Sequence, residues 1–407
     1  MKTILITAYA INPYKGSEDG TGWNISREIA KNNKVIVITR KNNIPHIEKF
    51  LAESNDPILE NMSFLGYDLP NRIMKLKKKL GERGYVLYFY FWQMFIVRFI
   101  KKNNLKFDIA HSLNFHSDSQ PQFLWMLGKP TFWGPIGHHP KVPKKYLLPI
   151  YGRKNFIKDR LYFNVKWVLR NLDPFFRLAV WKSKRIFTIN SSISKVISAK
   201  ESKVSILSAV ASEAVSKNNN KESKLFKILS VGRFHYMKGF DISIKAFAHF
   251  HRTLTEEQQQ NTFLTLVGKG SEKTRLQTIA AEENITSQIE WIGWVEKDQM
   301  KNIYENSSIF LFPSHEGAGM VVPEALSYGL PIVCFENVGP GELSGNASLK
   351  VQYGNYEKSI LDFSQHLQHL FENEFQRNVL SNISKEKFQN TFTWAVKGST
   401  IEQAYCA

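Results

Sequence analysis

Between residues 227 and 335 the chain repeats one pattern four times and closes it with a fifth apolar run: KILSVGRF, NTFLTLVGKG, QIEWIGWV, IFLFPS and PIVCF alternate with stretches whose apolar residues have helical spacing. Short apolar runs alternating with amphipathic helices admit essentially one architecture, a parallel sheet covered by helices on both faces. The first residues open the same way, with the strand-like TILITAY, a glycine-bearing loop, the helical WNISREIAKN and the strand-like KVIVITR. At 407 residues the chain exceeds what a single core organises, about 250–300 residues. The expectation is therefore an α/β protein of two Rossmann-like, doubly wound parallel-sheet domains, residues 1–216 and 222–389. The polar, Asn-rich SEAVSKNNNKESK is read as the linker between them.

Charge divides along the same boundary. Residues 1–216 carry 35 Lys and Arg against 15 Asp and Glu, whereas residues 217–407 carry 19 against 21. All the excess positive charge thus lies in the first half, which suits an anionic surface or acceptor. Lys and Arg are interleaved there with long aromatic and aliphatic runs, and no DNA- or RNA-binding motif is present, so nucleic acid is not an expected partner. The two cysteines, Cys334 and Cys406, give neither a disulfide framework nor a metal-binding spacing. MKTILITAYAINPYKG reads as a first strand rather than a leader, so a cytoplasmic protein is expected.

Within the repeat, two loops hold chemistry. After KILSV comes Gly232-Arg233-Phe234-His235-Tyr236-Met237-Lys238-Gly239, two cations in one strand-to-helix loop. After IFLF comes Ser314-His315-Glu316-Gly317-Ala318-Gly319-Met320-Val321, leading into a helix that carries Glu324. Strand-to-helix loops at the carboxyl edge of a parallel sheet are where such folds bind ligands. Glycines there let the backbone approach a phosphate. No Asp-x-Asp pair occurs in the chain, and His138-His139 lack a third ligand nearby, so no metal is expected.

Taken together, Glu316 and Glu324 with Arg233 and Lys238 resemble the Glu-x7-Glu and Gly-Arg…Lys-Gly motifs of retaining glycosyltransferases of the GT-B fold, the family 4 group (glycosyl transferases group 1). The resemblance implies two domains facing a cleft, with a C-terminal helix, here residues 390–407 anchored by Trp394, crossing back to the first. It implies a nucleoside-diphosphate sugar as donor substrate with no other cofactor, and a glycan or lipid-linked acceptor of the kind used in capsule, exopolysaccharide or lipopolysaccharide synthesis. Arg233 and Lys238 would grip the donor diphosphate in place of a metal, Glu316 the donor sugar and Glu324 the ribose. Gly317, Gly319, Met320, Val321, Gly268, Trp294 and Val295 would complete the donor site. Glucan or sugar-phosphate synthesis on the same fold, or a non-catalytic basic homologue, are the alternative readings.

In the first half the resemblance is looser. Gly16, Gly20 and Gly22 match a cleft-facing loop, and Gly134, Gly137 and His138 lie in a Gly-Pro-Ile-Gly turn found in one branch of the family. Asp108 to His111 begin an Asp-x-x-His-x-His pattern whose second histidine is replaced by Leu113, with His116 three residues on, so either His111 or His116 is the candidate for the reaction centre. Finally, Tyr85–Ile100 forms an aromatic apolar run flanked by Lys75, Lys77, Lys78, Lys79, Lys101 and Lys102. At 16 residues, about 24 Å as a helix, it is too short to span a bilayer core of about 30 Å. It reads either as a core helix or as an element lying at the inner face of a membrane.

Overall fold

The structure is a computed structural model, and it describes the chain apart from residues 80, 115–116, 210 and 213–224. The greater part of the expected linker, and His116, therefore lie outside the described residues. Two compact units emerge. The first comprises Met1–His138, Tyr162–Val210 and Trp394–Ala407, the second His139–Leu161 and Ala211–Thr393.

The first unit is built on seven strands: β1 (Thr3–Thr7), β2 (Lys34–Thr39), β3 (Met62–Gly66), β4 (Ile109–Ser112), β5 (Thr131–Ile136), β6 (Arg185–Thr188) and β7 (Val204–Ile206). They lie in the order 3-2-1-4-5-6-7, all parallel. The second unit has six: β8 (Phe226–Val231), β9 (Thr262–Val267), β10 (Ile289–Ile292), β11 (Ile309–Phe312), β12 (Ile332–Phe335) and β13 (Ser348–Val351). Their order is 10-9-8-11-12-13, again parallel. Both are doubly wound. The chain runs outward from the middle strand one way, then returns and runs the other way, which opens a crevice at the carboxyl ends of β1 and β4 in one sheet and of β8 and β11 in the other.

The central strands read as continuous apolar runs because both faces are covered. Ile309–Phe312 and Ile332–Phe335 are buried at every position. Each sheet also gains an edge strand that the sequence pattern does not announce, β7 and β13, whose residues are mostly half-buried. SKRIFTINSSIS, which supplies β6, is consequently the last strand but one of its sheet.

Two stretches pack away from their neighbours in sequence. The helix Trp394–Cys406 belongs to the first unit, where Ile401, Ala404 and Tyr405 join the core beneath the helix Ser17–Ala30. His139–Leu161, expected in the first domain, belongs to the second: Val142, Tyr146 and Leu147 are buried in its core, and the Tyr146 hydroxyl meets Ser359 Oγ at 2.5 Å. The physical reason is side-chain character. An apolar run with buried aromatics goes to the core that it completes, whatever its place in the chain.

The aromatic segment forms the helix Gly81–Lys102, with one face in the core and another exposed to solvent. Tyr88, Phe89, Trp92, Ile96, Val97 and Ile100 are core, whereas Leu87, Phe91 and Phe95 are exposed. Lys77, counted above among the flanking surface lysines, is buried. Its ammonium donates to the Tyr9 hydroxyl at 3.2 Å and lies over the rings of Tyr85 and Tyr88.

Candidate active site

The crevice of the second sheet is made by the loops after β8 and β11, and they are joined by an ion pair: Lys238 Nζ donates to Glu316 Oε2 at 2.7 Å. Lys238 reaches it along a groove. Its stem passes Gly232, and its ammonium stands 5.3 Å from the Phe312 ring centre. The loop after β9 closes from the other side. Gly268 has φ +153, and a Cβ there would stand 1.9 Å from Gly232 O, so only glycine permits the approach.

The Glu316 loop is fixed at each residue. His315 N donates to Met237 O at 2.8 Å, Glu316 N to Ser314 Oγ at 3.3 Å and Gly317 N to His139 Nδ1 at 3.1 Å. Asn337 holds it from β12: its amide donates to Ser314 O at 2.8 Å and its carbonyl accepts from Gly339 N and Gly341 N. Gly339 sits so near that a Cβ would lie 1.9 Å from Glu316 O. The His315 ring is buried against Phe335 and Tyr353, and burial pushes its pKa down to about 3, so it stays neutral.

Glu324 rides on the helix Val321–Ser327 and is half-buried, with its Oε2 accepting from the Tyr304 hydroxyl at 2.9 Å. Tyr304 is itself buried and stacked on Tyr328 at 4.9 Å. Burial first, then the Glu324 charge, raises the Tyr304 phenol well above its usual range, so it remains a donor. The carboxylate is thereby held on the same rim. Arg233 is exposed in the β8 loop, Met320 is exposed at the helix start, Val321 is half-buried and Gly319 is buried. Trp294 is 68% exposed, whereas Val295 packs on the core below it. Lys238, Glu316, Glu324, Gly268, Gly317 and Gly319 are thus brought to the carboxyl edge of one sheet.

In the first unit the placements differ from the expectation. His111 on β4 is fully buried, with Nδ1 2.6 Å from the Tyr405 hydroxyl and Nε2 2.8 Å from Gly134 O. Both ring nitrogens are engaged, and burial lowers its pKa to about 4. It is a neutral core imidazole that ties the C-terminal helix to β5. His138 is likewise buried, its Nδ1 2.7 Å from Asp118 Oδ2, and the same carboxylate pairs with Lys166 and Arg170. Burial alone would raise the Asp118 pKa, but His138 and Lys166 outweigh it and hold it at about 2. Gly137 O accepts from Asp118 N. Gly16 precedes the helix Ser17–Ala30, and Gly20 and Gly22 lie in its first two turns against Lys15 O and Ala10 O.

Residues 211–387 match the sequence profile of the family described as glycosyl transferases group 1. The matched residues lie wholly within the second unit. The chain is 32% identical over 200 residues to an uncharacterized glycosyltransferase of Haemophilus influenzae, covering 48% of this chain and 52% of that one. A lipopolysaccharide core biosynthesis glycosyltransferase of Rhizobium meliloti is 28% identical over 133 residues, 32% of this chain and 36% of the relative. The matched stretches span about half of the first relative's length and about a third of the second's. Among solved structures, HepE of Anabaena in complex with UDP superimposes with a TM-score of 0.60 over all of both chains at 12% identity. The two parallel-sheet domains are those of the GT-B glycosyltransferase fold.

Several residues of this site escape motif reading. His139 enters it from the first half of the sequence and caps Gly317 N; nothing in a Gly/Pro turn marks it as a wall of that loop. Tyr304, Asn337 and Tyr353 act through Glu324 and the Glu316 loop, and only their distances show it. Tyr236, two residues before Lys238, donates to Asp159 at 3.3 Å and so draws on the same transferred segment.

Proposed function

We propose that the protein is a retaining, family 4 glycosyltransferase that moves a hexose-like unit from a nucleoside-diphosphate sugar to a glycan or lipid-linked acceptor in cell-surface polysaccharide synthesis. The observation that carries this is the Lys238–Glu316 pair at the β8/β11 crevice, with Glu324 held on the same rim. Departure of a nucleoside diphosphate leaves negative charge on its phosphates. A fixed ammonium beside that point stabilises the charge with little reorganisation. In the free protein Glu316 keeps Lys238 in place; on donor binding Lys238 transfers to the diphosphate, supported by Arg233, and Glu316 turns to the sugar. Glu324, fixed by Tyr304, accepts from the ribose hydroxyls. The Anabaena neighbour's bound UDP supports the donor class, and the Rhizobium relative supports the pathway class.

No metal is assigned a role. Among the described residues no group of three or more His, Cys, Asp or Glu stands where it could hold an ion. Activity is expected to survive EDTA unchanged, and restoration of a chelated, inactive enzyme by a divalent ion alone would overturn this. In this reading the acceptor lies at the inner face of a membrane, and the positive charge of the first unit supports it. Thermal shift against a panel of nucleoside diphosphates and their sugars, followed by transfer assays with the stabilising donor, tests the proposal. A melting temperature indifferent to every member of the panel would sink it.

A further inference from the structure

Of the 24 large hydrophobic side chains exposed among the described residues, 13 lie on three helical stretches of the first unit: Gly81–Lys102, residues 162–172 and Pro174–Lys182. On the first, Leu87, Phe91 and Phe95 follow at intervals of four and form one outward stripe opposite the core face. On the others Trp167, Leu172 and Trp181 are 57%, 71% and 64% exposed. The stretches are contiguous. The Tyr90 hydroxyl donates to Asp173 at 3.0 Å, Gln120 donates to Val86 O at 3.1 Å, and Asp118 in the same loop receives Lys166 and Arg170.

Residues 85–102 and 162–182 hold seven Lys or Arg and one acidic residue, Asp173. Lys166 and Arg170 serve Asp118, which leaves Arg98, Lys101, Lys102, Arg177 and Lys182 exposed. An aromatic surface of this extent rimmed by one sign of charge fits a layer that is anionic outside and hydrocarbon beneath. A second copy of the chain fits poorly, because face-to-face pairing would set the same cations against each other. Among the described residues no helix is long and apolar enough to cross a membrane.

We propose that this face docks the protein reversibly on an anionic lipid bilayer, with the exposed aromatics at headgroup depth and the exposed Lys and Arg against the headgroups. The proposal deepens the reading of a membrane-side acceptor given above, and its test needs no catalysis.

The test is sedimentation with phosphatidylcholine vesicles, with and without phosphatidylglycerol, at low and high salt. Wild type is expected to pellet with phosphatidylglycerol at low salt. The variants Phe91→Glu/Phe95→Glu and Trp167→Glu/Leu172→Glu are expected to reduce the pelleted fraction at least tenfold, with unchanged melting temperature and unchanged thermal shift by UDP. Lys78→Glu/Lys79→Glu should weaken docking less; Lys77 is left intact because it is buried. Indifference of wild type to vesicles, or full retention by both aromatic variants, overturns the proposal. So does a wild-type dimer in sedimentation equilibrium that these variants dissociate while vesicles have no effect. Vesicle binding with no UDP shift in wild type would sink the donor reading and leave the docking surface standing.

Discussion

At the scale of single residues the site rests on a few charge-assisted contacts. Lys238→Ala, Arg233→Ala and Glu324→Ala are each expected to lower turnover about a hundredfold, about 3 kcal/mol of barrier, while the fold survives. Lys238→Ala has a second consequence, since it leaves Glu316 without its cation. Near-wild-type turnover of that variant at saturating donor would remove Lys238 from the mechanism. His139 acts through another residue. Its Nδ1 is the acceptor for Gly317 N, so His139→Ala should loosen the Glu316 loop and raise the donor KM. His139→Asn, which keeps an acceptor, should recover part of the loss, and steady-state kinetics of the pair decide it. These residues also show how far the sequence could be read. Glu316, Glu324 and Lys238 stood out because their spacing falls on strand-to-helix loops, a local property. His111 misled for the same reason: a histidine ending a strand looks alike whether it faces a ligand or Tyr405, and only the three-dimensional structure supplies the tyrosine.

At the scale of elements the C-terminal helix illustrates packing against propensity. Gly398 lies in the middle of the helix Trp394–Cys406, where alanine would ordinarily stabilise by about 1 kcal/mol. A Cβ at Gly398, however, would stand 2.6 Å from Glu28 Cβ on the helix Ser17–Ala30. Gly398→Ala is therefore expected to destabilise the first unit by about 1–3 kcal/mol, the usual cost of overpacking. A raised denaturation midpoint for this variant would show that the two helices part easily. The segment 139–161 makes the complementary point. A fragment beginning at residue 222 lacks Val142, Tyr146 and Leu147, and with them part of the second unit's core.

For the whole molecule the buried titratable groups set the pH range of stability. His111 in the first unit and His315 in the second have folded pKa values of about 4 and about 3, below the unfolded value near 6.5. Between pH 6.5 and 4 the unfolded chain therefore binds more protons than the native one, and stability falls as pH falls through that window. Lys397, buried and donating to Ser208 O, is lowered by burial to about 7 against 10.5 when unfolded. From pH 7 to 10.5 this group makes the native state more stable as pH rises, by at most about 1.4 kcal/mol per pH unit. Chemical denaturation across pH 4 to 10 should show the acid loss, and Lys397→Met should flatten the alkaline rise. An unchanged alkaline slope in that variant would mean that Lys397 is not the group responsible.

The sequence by itself determined what depends on near neighbours along the chain. Alternation of apolar runs and helical stretches specified parallel sheets, and the loops after KILSV and IFLF held the cations and carboxylates of the site. Charge bias marked the first half as the basic one. The tertiary structure decided what depends on distant neighbours. It seated 139–161 in the second unit, added β7 and β13 to the sheet edges, and buried Lys77 and His111. It also turned one face of the helix Gly81–Lys102 to the core and the other to solvent. The physical reason is that burial and pairing are set by whichever surface a segment meets, and a side chain's partner across the fold leaves no mark on its own stretch of sequence.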